Sequence, residues 1–330
     1  MVKYTNNHGI SLPIAVWLLH DEYDHIDLPN YISATSLMAP TKQFILARRI
    51  PMEDREYDVS DFIASSLGTA IHDSIEKAWL KAGARIMKML GYPDAICEKI
   101  AVNPDPEWLK LNPGYFPVYV EQRGYREITV GNITYTIGGK FDLVIDGRLF
   151  DNKSTSVYSW LLGSKDEQYS QQGSIYKWIH EDKIIDDYIY IQFIFTDWKK
   201  VDAIAKPDTY PQLRVMEHPV PLMDMDSTEA FIRSKLELLT RYKDKAEEDI
   251  PDCTDEELWR SEPQFKYYSD PTKTNGRSTK NFDNLADANR FMAEKGGKGI
   301  VITKPGTVKR CAYCPAESIC QQRKRYETDV

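Results

Sequence analysis

The sequence predicts a mixed α/β protein, a sheet core flanked by helices, and three features carry that expectation. Between Pro117 and Lys153, short stretches alternate apolar and polar residues and break at Gly131-Asn132 and Asp146-Gly147, the pattern of strands joined by tight turns. Residues 65–79 and 169–178 instead repeat apolar or aromatic residues at helical spacing. Residues 188–195 form an unbroken run of β-formers that suits a buried central strand.

The chain has 330 residues, enough for one large domain or two smaller ones. No apolar stretch approaches the roughly 18–20 residues needed to cross a bilayer, and the first residues lack the apolar core of a signal peptide. A cytoplasmic protein with no membrane partner is expected. The net charge of −8 argues against coating DNA through global electrostatics. Charge is uneven, however: residues 264–325 hold thirteen Lys/Arg against five Asp/Glu, leaving −14 on residues 1–263. A basic C-terminal region on an acidic body hints at nucleic-acid contact.

At the start, residues 31–50 read as a Ser/Thr-capped, mostly apolar helix with a basic end. In residues 65–79, Leu67, Ile71, Ile75, Ala78 and Trp79 fit one helical face, with His72 and Glu76 one turn apart beside it. Residues 80–118 read as helix and loop punctuated by prolines. The alternation in 118–121, 128–130 and 133–137 indicates strands leading into a hairpin, on which Glu121 and Glu127 are either further acidic ligands or, more simply, surface charges.

That hairpin is the centre of the chain. Asp146-Gly147 suits a two-residue type I′ turn, which needs positive φ at both central residues. Counting outward, Ile145 faces Arg148, Val144 faces Leu149, Leu143 faces Phe150, and Asp142 faces Asp151. Two directly opposed carboxylates repel, and a divalent cation would offset that repulsion. Lys153 follows Asp151 on the same strand face.

Farther on, Ser154-Thr155-Ser156 reads as the cap of a helical region in which Tyr169, Gln172 and Tyr176 share one face. A strand through residues 212–216 and a helix over 227–243 follow. The segment 264–280 is polar and reads as an exposed loop, and 285–295 as a short helix ending at Gly296-Gly297. Cys311, Cys314 and Cys320 are spaced C-x2-C-x5-C, with Cys253 upstream and Cys97 a buried bystander. Clustered cysteines in an intracellular chain point to metal, with spacing alone leaving zinc and iron–sulfur both open.

Taken together, Asp142, Asp151-Asn152-Lys153, the Gly68-x-x-x-His72 segment and the Tyr169-x-x-Gln172-x-x-x-Tyr176 helix resemble the PD-(D/E)xK nuclease superfamily. They are most similar to its RecB-like and CRISPR-associated-exonuclease-like branch, with features associated with phage-encoded exonucleases. The cysteine tail resembles the iron–sulfur segment of those exonucleases and of AddB-type helicase–nucleases. It departs from them in placing Ala39, before Pro40, where a cysteine ligand is expected, with Cys253 as the substitute.

The resemblance implies a restriction-endonuclease-like mixed sheet core flanked by helices, with a C-terminal Cys-cluster lobe. It divides the chain into an N-terminal helical segment over 1–60, a nuclease core over 61–250 and a basic Cys lobe over 251–330. It implies a Mg²⁺- or Mn²⁺-dependent deoxyribonuclease, an exonuclease rather than an endonuclease, resecting DNA ends for recombination or repair. His72, Asp142 and Asp151 would hold the metal, with a backbone carbonyl near Asn152. Lys153 would orient or deprotonate the attacking water, and Gln172 and Tyr176 would position water or phosphate. Cys253, Cys311, Cys314 and Cys320 would hold a [4Fe–4S] cluster, with structural Zn²⁺ as the alternative. Lys273, Arg277 and Lys280 would contact DNA along one wall of a groove, and a single-strand annealing protein is a candidate partner. A nuclease-fold module that binds DNA without cutting it, and a structural zinc protein, are the rival readings.

Overall fold

The computed structural model describes residues 2–20, 26, 28–163 and 165–326. In chain order its elements are β1 (Lys3–Thr5), α1 (Leu12–Leu18), β2 (Tyr31–Ser33), α2 (Ala34–Leu37), α3 (Thr41–Arg49), β3 (Glu56–Asp58), α4 (Ile63–Met89), α5 (Asp94–Cys97), β4 (Ile100–Val102), α6 (Pro106–Leu111), β5 (Phe116–Val130), β6 (Ile133–Ile145) and β7 (Arg148–Thr155). There follow α7 (Val157–Leu162), α8 (Asp166–Ile179), β8 (Tyr188–Phe195), α9 (Lys200–Ala205), β9 (Val215–Pro221), α10 (Met225–Tyr242), β10 (Gln264–Tyr268), β11 (Lys280–Phe282), α11 (Leu285–Glu294), β12 (Ile300–Lys304) and α12 (Gln321–Lys324). Among the described residues, no helix is long and apolar enough to cross a membrane.

The chain forms two compact units, Met1–Ala39 with Met52–Leu238, and Pro40–Pro51 with Leu239–Val330. This differs from the expected division at residues 60 and 250. The first 39 residues belong with the large sheet, and α3 belongs with the C-terminal residues. The expected single helix over 31–50 is instead β2, α2 and α3. Tyr31–Ser33 pairs with β6, and Pro40, which has no amide hydrogen to continue a helix, separates α2 from α3. Within the second unit Lys42 reaches Asp252 at 2.7 Å, Arg310 donates to Gln43, and Arg49 donates to the carbonyls of Lys243 and Lys245.

The first unit is a mixed seven-stranded sheet, order β4-β5-β6-β7-β8-β9, with β2 added to β6. The expected short strands merge into two long ones, β5 and β6, joined where Gly131 takes φ 59. The Asp146-Gly147 turn is as expected: both residues have positive φ, 48 and 78, and the register Ile145–Arg148, Val144–Leu149, Leu143–Phe150 is the one counted from the sequence. Pairing between β6 and β7 then stops, so Asp142 and Asp151 are not ladder partners. From there β7 pairs with β8, while β2 takes up the edge of β6 at Thr136–Gly138. The sheet therefore forks at the two carboxylates.

On one face of the sheet α8 packs through Ile175 and Trp178 against strands carrying Phe141, Leu149, Ile189 and Ile191, all almost fully buried. Each such side chain stabilises the fold by roughly 1.5–3 kcal/mol through burial. β8, expected to be a buried central strand, lies one in from the edge strand β9, and only its odd residues Ile189, Ile191, Phe193 and Phe195 are buried. Its other face carries the half-buried Tyr190, Gln192 and Ile194, with Gln192 donating to the exposed Glu217. Helix α8 starts at Asp166, later than the predicted Ser154–Ser156 cap: Ser154 and Thr155 complete β7, and Ser156 precedes the separate α7. The strand expected over 212–216 begins only at Val215, where pairing with Ile194 starts.

The second unit contains a three-stranded antiparallel sheet, order β11-β10-β12, against which α11 packs. Residues 264–280 are thus not simply a loop, because Phe265 and Tyr267 give β10 an apolar side that meets α11 through Phe291. Helix α11 ends near Gly296 and Gly297, both at positive φ, as expected.

Two paired glycines, Gly124 of β5 and Gly139 of β6, let the end of α8 press onto the sheet. A Cβ on Gly139 would fall 2.9 Å from Tyr176, and one on Gly124 would fall 2.4 Å from the His180 ring. His180 lies edge-on to Phe141 at 4.7 Å and is 3 % exposed, and burial pushes it down to about 4. Because the unfolded imidazole titrates near 6.5, its contribution to stability is complete above that pH and lost as pH falls toward 4. Between pH 7 and pH 4.5 the urea midpoint of the wild type should fall by the equivalent of on the order of 2 kcal/mol more than that of His180→Gln. Equal pH slopes in the two proteins would assign the effect elsewhere.

Candidate metal centre and active site

The fork in the sheet decides where the charged groups go. Val120 pairs with Leu143 and Gln122 with Phe141, so Glu121 and Asp142 drop out of the β5–β6 register together. Glu121 takes φ 50, a left-handed conformation that costs a non-glycine residue about 1–2 kcal/mol. The break aims it at His72 rather than along the strand surface. Opposite, the Asn152 amide donates to Oδ2 of Asp142 at 2.7 Å, which holds β6 and β7 together beyond the end of their ladder.

Helix α4 brings His72 to this fork. Its Nε2 lies 2.9 Å from the Asn152 carbonyl oxygen, and Nδ1 lies 3.4 Å from Asp142 Oδ2 and 3.8 Å from Glu121 Oε1. One ligand atom from each of His72, Glu121 and Asp142 falls within 4.8 Å of the others. Of the expected trio, His72 and Asp142 come together with Glu121 in this close group, while Asp151 lies beside them paired with Lys153. Glu121 reads in sequence as a surface charge, since nothing local announces the break that redirects it. Lys140 Nζ holds its other oxygen at 2.5 Å.

Asp151 is 1 % exposed. Lys153 Nζ stands 2.5 Å from its Oδ2, an ion pair shielded from solvent on the Asp151 side. Burial raises the Asp151 carboxyl to about 6, with Lys153 opposing and the Asp142 charge adding to the shift. Asp142 goes the other way: burial works against its charge, but His72, Lys153 and the Asn152 amide outweigh it. His72 is raised to about 10 by its contacts with Asp142 and then Glu121. Burial also disfavours the Lys153 ammonium, but Asp151 and Asp142 more than compensate and hold it above its ordinary range. Lys153 therefore lies where the sequence places it, on the strand face of Asp151 and paired with that carboxylate.

The residues fit a divalent cation. A histidine nitrogen, two carboxylates and a backbone carbonyl converge, with the buried Asp151 carboxylate beside them. Of the helical motif, Gln172 donates to the Tyr176 hydroxyl at 2.8 Å, and Tyr176 is buried against Gly139. Tyr169, one turn earlier, lies within electrostatic reach of Lys153 and Asp151. Glu76 is half-buried on α4.

In the second unit Cys253, Cys311, Cys314 and Cys320 line one cavity with Pro40, Lys42 and Arg310. The residue before Pro40 is the Ala39 at which the resemblance expects a ligand. Burial raises the Cys253 thiol to about 12, with Glu257 and the other three cysteines adding to it. Among the described residues, no three cysteine sulfurs come within 4.8 Å of one another. Cys97 is buried in the first unit, its Sγ 3.7 Å from the Tyr92 carbonyl. Of the expected DNA contacts, Lys273 pairs with Asp270 and Lys280 lies over Phe282 and Phe291, while Arg277 is exposed.

Glu121→Gln should weaken Mn²⁺ binding, followed by titration calorimetry, by at least about tenfold while leaving the thermal transition cooperative. Unchanged affinity would remove Glu121 from the metal centre.

No family model and no curated protein matches the chain. Among solved structures it is similar to the one titled "Crystal structure of SSO0001", at 18 % identity over 69 % of this chain and 86 % of that one, with a TM-score of 0.42.

Proposed function

We propose that this protein is a metal-dependent DNA exonuclease of the PD-(D/E)xK type that hydrolyses phosphodiester bonds at DNA ends during recombination or repair. The observation that carries the reading is the convergence of His72, Glu121, Asp142 and the Asn152 carbonyl beside the buried Asp151–Lys153 pair. Binding without chemistry needs no such arrangement.

His72, Glu121, Asp142, Asp151 and the Asn152 carbonyl would hold Mg²⁺ or Mn²⁺. When bound, the cation supplies Lewis-acid polarisation of a phosphoryl oxygen and acidifies a water. Lys153, held as an ammonium by two carboxylates, offsets the negative charge that builds on the phosphate and orients the nucleophile. The strand pairing of β7 with β8 fixes Lys153 and Asp151 on one rigid element. Tyr169, Gln172 and Tyr176 form the helical wall, with Tyr176 anchored by its burial against Gly139.

For the cysteine cavity we favour a [4Fe–4S] cluster over zinc. The four thiols line one cavity, and the C-x2-C-x5-C spacing of three of them is the feature that resembles an iron–sulfur segment. Anaerobically purified protein should contain about four irons and matching acid-labile sulfide per chain, with visible absorbance lost in Cys253→Ser. Zinc at one per chain without sulfide would overturn this assignment.

Incubation of end-labelled linear DNA and closed circular DNA with Mg²⁺, Mn²⁺ or EDTA tests the main reading. Metal-dependent loss of the linear substrate alone is expected. Asp151→Ala and Lys153→Ala should lower the rate by about 10²-fold or more in a folded protein. Unaltered cleavage by either variant would remove the site. Cutting of the circle would make the protein an endonuclease, and binding without cleavage a DNA-binding module.

A further inference from the structure

Register places a second feature on the sheet face that carries Asp151 and Lys153. In β8, Ile191 lies beside Asp151 and Phe193 beside Lys153. In β9, His218 lies beside Ile191. Side chains alternate along each strand, so Lys153, Phe193 and His218 all rise on one side, one strand spacing of about 4.8 Å separating β7 from β8 and a second separating β8 from β9.

Over this row opens a cavity of about 110 Å³, lined by Trp160, Lys165, Asp166, Tyr169, Phe193 and His218 among others. Its walls are aromatic. Trp160 stands edge-to-face with Phe193 at 5.1 Å and with His218 at 5.6 Å, and Tyr169 meets Phe193 at 6.1 Å. Its polar groups converge: His218 Nε2 lies 3.0 Å from both carboxylate oxygens of Asp166 at the start of α8, and Lys165 is exposed beside them. Tyr169 belongs to both places, because it lines the cavity and lies close enough to interact electrostatically with Lys153 and Asp151.

We propose that this cavity is a nucleobase pocket, which takes the unstacked base of a nucleotide flanking the phosphate held at Asp151 and Lys153. Aromatic walls bind the π-face of any base, and the Asp166–His218 pair offers hydrogen bonds to a base edge. Lys165 adds a cation for the adjoining backbone. A base within a duplex cannot enter, so the pocket selects frayed ends or single strands. The pocket rests on reading the neighbouring centre as a phosphodiesterase, and it identifies the part of the substrate next to the cut bond.

Two measurements separate the pocket from that reading. In the first, a single abasic residue is walked through the terminal nucleotides of an end-labelled single strand cleaved by the wild-type protein with Mn²⁺. Loss of the base at one position should raise KM about 5- to 150-fold, the effect of one base stacked on aromatic side chains, with kcat changed far less. Trp160→Leu and His218→Ala should raise KM for the intact strand and become indifferent to that abasic position. A flat abasic walk, or the same position-specific loss in both folded variants, would overturn the pocket and leave the nuclease standing. In the second, strands with 2-aminopurine at each terminal position are bound to Lys153→Ala protein. Quenching at one position that is lost when Trp160→Leu or His218→Ala is added would support the pocket even if wild-type protein cleaved nothing. Uniform quenching at all positions, or quenching that survives both substitutions, would overturn it.

Discussion

Electrostatic repulsion between Asp142 and Asp151 is the constraint around which the first unit is arranged. The Asp146-Gly147 turn sets a register that would place these carboxylates face to face, and the ladder lasts for three pairs before it opens. The opening is bridged by the Asn152 amide on Asp142 and is flanked by β2, which takes over the edge of β6. A closed sheet would have left two like charges in contact, whereas a fork gives them separate surroundings. Asp142 gains His72 as partner, and Asp151 gains Lys153.

The positive groups are distributed accordingly. Burial disfavours every charge at the fork, yet the site contains three carboxylates, one imidazole and two lysines within a small volume. Each ion is tolerable only because an opposite one lies beside it. Divergent behaviour of the two aspartates follows: Asp142, with the imidazole and an amide, is held ionised, while Asp151, more deeply buried, is raised. The left-handed backbone at Glu121 turns a third carboxylate toward His72.

Small residues set the distance between this centre and the helix that walls it. Paired Gly124 and Gly139 leave no side chains where α8 ends, so Tyr176 and His180 sit directly on the backbone of β5 and β6. That contact fixes the height of α8 above the sheet, and with it the positions of Gln172 and Tyr169. In the second unit a comparable role falls to α3, whose buried Lys42 is neutralised by Asp252 beside Cys253. The cysteine cavity is thus built from three separate stretches of sequence, around residues 40–46, 253–258 and 310–323.

The sequence by itself determined the mixed α/β class, the hairpin turn and its register, and the helical faces bearing His72 and Gln172. Those are local matters: an Asp-Gly turn chooses its own dihedrals, and periodicities of two and 3.6 residues follow from backbone geometry. It also singled out Asp142, Asp151, Lys153 and the four clustered cysteines as candidates, through the order in which their motifs follow one another along the chain. Tertiary structure alone decided that Glu121 belongs to the centre, that residues 31–50 break into strand and helices assigned to different units, and that 264–268 is a strand. Each of these depends on a partner remote in sequence: Asp142 and His72 for Glu121, β6 for β2, and α11 and β12 for β10.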